Sequence, residues 1–134
     1  MTRETINPDS MYDSLQYGFS HATRSQGQTK IYCAGQVAWD ENGNLVGAGD
    51  LAKQAQQVFI NLKTVLREAG ATPADVVRMR TYVVNHEPQY LEIITNAAAD
   101  FYAQELPAAN TLIGVQSLAL PEFLIEVEVT AIID

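Results

Sequence analysis

The chain has a single cysteine, Cys33. No disulfide can form within it, and a lone thiol suits a reducing, cytoplasmic setting, which is the expected location. Its two histidines, His21 and His86, lie far from each other and from Cys33 in sequence, so no metal-ligand spacing exists and neither metal nor cofactor is expected. Bases are missing from the whole C-terminal part. Residues 1–80 hold eight acids and eight bases, whereas residues 81–134 hold eight acids and no Lys or Arg. With a net charge of −8 the chain should repel phosphate backbones, which argues against nucleic acid as a partner. No apolar run approaches the ~20 residues of a membrane helix, and the opening MTRETINPDS has no apolar h-region, so neither membrane association nor a secretory signal is expected.

What is present fits one domain over residues 1–134: the hydrophobic share is 47%, with no linker, repeat or low-complexity tract. Residues 15–24 and 30–39 read as strands, and Asn42-Gly43 marks a hairpin leading to a short return strand over 44–47. Asp50 is a good helix N-cap, because its carboxylate can accept amide donors of the first turn. Leu51, Ala55, Val58, Leu62, Val65 and Ala69 then recur at steps of four and three, an apolar helix stripe that Gly70 should terminate. Residues 76–84 form the next strand. Pro88 can open a second helix with Tyr90, Ile94, Ala97 and Phe101 on one side, and Pro107 ends it. Strands over 110–118 and 123–133 complete an α+β order, βββαβαββ, with both helices on one face of the sheet.

Alternation in the strands separates the two faces of that sheet. Ile125, Val127, Val129 and Ala131 alternate with Glu126, Glu128 and Thr130; Val77, Met79 and Val83 alternate with Arg78, Arg80 and Tyr82. If the apolar sides meet the helices, two arginines and two glutamates share the opposite face. They then form surface ion pairs, or the face is closed by subunit association.

Several segments, taken in order, carry a resemblance to a known family. They are Tyr17-Gly-Phe-Ser-His-Ala, Cys33-Ala-Gly35-Gln36-Val, Asn42-Gly-Asn-Leu-Val-Gly, Pro107-Ala and Ile125-Glu126-Val-Glu128. Each is short, but their order and spacing resemble the RidA/YjgF family over nearly the whole chain. The resemblance implies a chorismate-mutase-like fold and a homotrimer with small-metabolite clefts between neighbouring subunits. It also implies hydrolysis of imines and enamines to ketone and ammonia, as in 2-iminobutanoate/2-iminopropanoate deaminases. By the same resemblance Glu126 is the catalytic carboxylate, and Tyr17, His21, Gly35 and Asn110 line the substrate site.

The family pattern places an arginine after Pro-Ala, where it grips a substrate carboxylate. Here Ala109 and Asn110 stand in that place. A guanidinium binds a carboxylate through two parallel hydrogen bonds, which neither residue can supply. Structural pairing of Arg78 and Arg80 with Glu126 and Glu128 is the expectation, and Arg80 as a substitute cation is the alternative. The alternative function is a non-catalytic ligand-binding or regulatory trimer. Ribonuclease activity, attached to some relatives of this type, fits poorly with the acidic charge.

Overall fold

A computed structural model describes residues 2–134 of the chain. Its elements are β1 (Thr2–Ile6), a 3₁₀ turn (Leu15–Tyr17), β2 (Ala22–Gln26), β3 (Thr29–Gln36), α1 (Leu51–Glu68), a 3₁₀ turn (Pro73–Asp75), β4 (Val76–Val84), α2 (Tyr90–Tyr102), β5 (Ala109–Val115) and β6 (Ile125–Ile133). The main sheet runs β3-β6-β4-β5, antiparallel except for the β4–β5 pair, which α2 connects as a parallel crossover. β1 and β2 form a separate antiparallel ribbon. No helix among the described residues is long and apolar enough to cross a membrane.

The order βββαβαββ is thus observed, but with a different set of strands at its start. The segment 15–24 expected as one strand is broken. Asp13 accepts a hydrogen bond from the Leu15 amide at 3.1 Å, and Gly18 closes the 3₁₀ turn at φ 83°. Only Ala22–Gln26 continues as strand, and it pairs with β1, a polar segment with no apolar alternation to betray it. Arg3 of β1 donates to the Val76 carbonyl at 2.8 Å and the Leu106 carbonyl at 2.5 Å, fastening the ribbon to the main body. The return strand expected over 44–47 shrinks to a single bridge between Trp39 and Leu45. Asp40 is the reason: its Oδ1 accepts from the Asn42 and Asn44 amides at 2.9 and 3.0 Å, replacing ladder hydrogen bonds with a side-chain turn.

Helix α1 begins as its N-cap predicts, Asp50 Oδ1 accepting from the Lys53 amide at 3.1 Å. It ends as expected at Gly70, whose φ is 83°. Its buried residues are Gln54, Ala55, Val58, Phe59, Leu62 and Leu66, so Leu66 rather than Val65 occupies the inward position of the last turn. Phe59 meets Phe101 of α2 with ring centroids 5.0 Å apart, and both helices cover the face formed by Met79, Val83, Ile125, Val127, Val129 and Ala131.

Candidate functional site

The face of the sheet away from the helices carries the charged residues that alternation placed there. In register, Arg78 lies opposite Thr130, Arg80 opposite Glu128 and Tyr82 opposite Glu126. A register shift between Cys33 and Gln36 breaks the β3 ladder beside β6 and brings Gly35 against Glu126. A Cβ at position 35 would overlap the Glu126 carboxylate and lie 2.7 Å from its Cδ, so glycine is what lets the acid occupy this spot. Burial, and secondarily the neighbouring Glu128, push the Glu126 carboxyl above its ordinary range. Glu128 is itself held by Tyr82, whose hydroxyl donates to Glu128 Oε1 at 2.5 Å. That bond, with some desolvation, raises the Tyr82 phenol.

The expected Arg–Glu pairs do not form within the subunit. Arg78 Nη2 donates instead to Thr111 Oγ1 at 2.9 Å, and tyrosine rather than arginine takes Glu128. The register puts Arg78 opposite Thr130 and Arg80 opposite Glu128, yet it is the Tyr82 hydroxyl, not Arg80, that Glu128 accepts from. Arg80 is exposed, on the Glu126 face, with no ion pair to either glutamate among the described residues.

Tyr17 and Asn110 meet elsewhere. A cavity of about 490 Å³ opens between α2, the 3₁₀ turn at Leu15–Tyr17 and the β5 edge, lined by Tyr12, Tyr17, Phe19, Met79, Thr81 and Asn110 among others. Thr81 is buried on the helix side, and its hydroxyl donates to Asn110 Oδ1 at 3.2 Å. Within one chain, therefore, Asn110 and Tyr17 stand on the helix side of the sheet, Glu126, Gly35 and Arg80 on the other. His21 does not line the cavity; it supports it. Its Nε2 meets the Tyr12 carbonyl at 2.8 Å, its ring lies 4.6 Å from the Tyr12 ring, and its amide donates to Asn7 Oδ1.

Cys33 is buried in β3, and burial pushes its thiol up, away from the thiolate a nucleophile needs. Trp39 packs edge-on against Phe123 at 5.2 Å. Tyr12 and Thr81 line the cavity without having stood out in the sequence. Alternation already set Tyr82 on the Glu126 face, whereas Tyr12 sits in a polar loop that offers no periodic signal.

The raised Glu126 pKa has a thermodynamic sign. Because the folded protein holds this proton more tightly than the unfolded chain, the group favours folding at low pH and opposes it once pH rises through the raised pKa. Glu126→Gln is expected to raise the melting temperature at pH 7, modestly because the carboxyl is partly solvated, with the gain vanishing by about pH 4. Thermal unfolding of both proteins at the two pH values checks this; a destabilised variant at pH 7 would overturn it.

Comparison with known proteins agrees with this architecture. The family model described as "Endoribonuclease L-PSP" matches residues 13–133. A 2-iminobutanoate/2-iminopropanoate deaminase from Dermatophagoides farinae is 30% identical over 88 residues, 66% of this chain and 66% of that protein. The crystal structure of YyfB from Yersinia pestis, a conserved Rid-family protein of unknown function, is similar with TM-score 0.97 and 58% identity, covering 99% of this chain and 100% of that one. Yeast Mmf1 shares the fold at TM-score 0.69 and 21% identity, over 99% and 100% of the two chains. With a mixed sheet bearing two helices on one face, Gly35 against Glu126, and this match across all but the chain ends, the protein belongs to the RidA/YjgF family and has its chorismate-mutase-like fold.

Proposed function

We propose that the chain is an imine- and enamine-hydrolysing member of its family, working as a cytoplasmic homotrimer. The observation that carries this is the Glu126 carboxyl, seated against Gly35 and held above its ordinary range. Such a group exchanges protons closer to neutral pH than a free carboxylate does. Water adds to the C=N carbon as the ionised Glu126 carboxylate takes one of its protons and passes it to the imine nitrogen, which gives a neutral carbinolamine. Glu126 then takes the carbinolamine's hydroxyl proton and returns it to the departing amino nitrogen, so that ammonia leaves and the ketone remains. Tyr17 and Asn110 lie on the helix side in one chain, so they join Glu126 only if a neighbouring subunit's edge packs on the uncovered face.

That face supports association. Tyr32, 73% exposed, sits on it opposite Thr130, and half-buried Tyr82 shares the same face, which is more aromatic surface than an isolated sheet leaves to water. Static light scattering at micromolar concentration should give the mass of three 14.7 kDa chains; a monomer mass would sink the trimer.

Ala109 stands where the family's arginine belongs, on the same face as Arg78 by register. Arg80, without an ion pair among the described residues, is the side chain placed to supply some of the missing charge, though not the arginine's geometry. Freshly generated 2-iminopropanoate should therefore release ammonia faster than it does unaided, yet about a hundredfold more slowly than with an arginine-bearing relative. No acceleration at all would favour the alternative, a non-catalytic ligand-binding trimer. The net charge of −8 and the lack of bases beyond Arg80 weigh against an RNA substrate.

A further inference from the structure

The cavity at the β5 edge has no charged side chain among its lining residues. Aromatic rings guard its mouth, Tyr12 at 59% and Tyr17 at 51% exposure, with Phe19 beside them. Apolar side chains, including Phe59, Met79 and Ile94, line much of the rest. Its main polar feature is the pair formed by buried Thr81 and half-buried Asn110. Because Asn110 Oδ1 accepts from the Thr81 hydroxyl at 3.2 Å, the Asn110 Nδ2 hydrogens have no partner among the described residues. A half-buried neutral amide donor beside apolar walls matches a ligand carbonyl. It does not match an ionised carboxylate, which would lose its water without gaining a cation. Arg78 does not change this, since it is turned to the opposite face and bound to Thr111 Oγ1 at 2.9 Å.

We propose that this cavity selects an uncharged ligand, an aromatic or branched apolar group carrying an amide or ketone carbonyl that accepts from Asn110 Nδ2. The inference rests on the ligand-binding half of the reading above, and it names the charge class of the substrate or product. The neutral ketone released by hydrolysis of an imine lacking a carboxylate has this chemistry.

The test compares two ligands of nearly equal shape, phenylacetamide and phenylacetate, by calorimetric titration of the intact protein. Phenylacetamide is expected to bind at least about tenfold more tightly. Asn110→Leu should weaken it about tenfold and leave the weak phenylacetate binding as it was. If that variant does not fold, the wild-type ratio alone decides. Equal or tighter binding of phenylacetate, no binding of either, or an Asn110→Leu protein that binds the amide unchanged would each overturn the proposal. Ammonia release from 2-iminopropanoate, measured on the same preparation, keeps the two ideas apart. Lost hydrolysis with retained amide selectivity sinks only the catalytic reading. Retained hydrolysis with carboxylate preference sinks only the charge assignment.

Discussion

Gly35→Ala is expected to lower imine hydrolysis by about a hundredfold while leaving the fold nearly as stable as before. The asymmetry follows from what the new methyl would strike. Built on the backbone, it overlaps the Glu126 carboxylate and comes within 2.8 Å of Glu126 Cγ. Its nearest obstacles are thus all atoms of one flexible, half-buried side chain. Rotation of that side chain relieves the clash cheaply, so β3 need not move. The carboxylate, however, leaves the position from which it can reach a bound imine, and displacement of a catalytic group by ~1 Å is enough for a loss of this size. A double-variant cycle gives the argument its edge. If alanine acts only by evicting Glu126, then adding Gly35→Ala to Glu126→Gln should cost little more, because the two changes remove the same contribution. Additive losses, or a Gly35→Ala protein at the wild-type rate, would show that the glycine serves something else.

How much of this could be read from residues alone depends on where the information lies. The faces of β6 and of β4 from Arg78 onward were legible because a period of two has one solution once the helices claim the apolar side, whereas the irregularity between Val76 and Arg78 buries Val76 in place of the expected Val77. The observed register, Arg80 opposite Glu128 and Tyr82 opposite Glu126, is one that this alternation allows. The caps of α1 were legible because Asp50 and Gly70 act on their own neighbours. Pairing between distant segments was not. β1 is polar and short, and only its partner β2 and the Arg3 contacts make it a strand.

The candidate site divides in the same way. Motif order identified Gly35 and Glu126 and the structure places them in contact. Tyr17 and Asn110 were identified by the same means and share a cavity, yet the strand alternation that separates Asn110 from Glu126 went unused. Asn110 aligns with Met79 and Ala109 with Arg78, so a one-residue step along β5 exchanges the helix side for the uncovered side. The Arg–Glu pairing failed for a different reason. Sharing a face does not fix which partner a long side chain takes, and threonine and tyrosine lay closer to hand.

Gln54→Leu should be the most destabilising single change outside the hydrophobic residues, by about 3 kcal/mol. Gln54 falls on the apolar stripe of α1, next to Ala55, and is 0% exposed. Its amide is used at both ends. Nε2 donates to the Gly47 carbonyl at 3.1 Å and to the Glu122 carbonyl at 3.0 Å, while Oε1 accepts from the Leu124 amide at 2.9 Å. One side chain thereby ties the turn before α1 to the segment that enters β6 one residue ahead of Ile125. Leucine fills nearly the same space but pairs with none of these groups, so two carbonyls and one amide lose their partner in a region where water has poor access. Each such loss costs about 1–3 kcal/mol before relaxation, and partial solvation brings the sum down to the figure given. In urea the midpoint should fall by about 1–2 M with an unchanged slope. Imine hydrolysis should fall as well, since Glu126 begins two residues beyond the released Leu124 amide. An unchanged midpoint would mean that water reaches the vacated groups, and that the glutamine bridges the two segments without holding them.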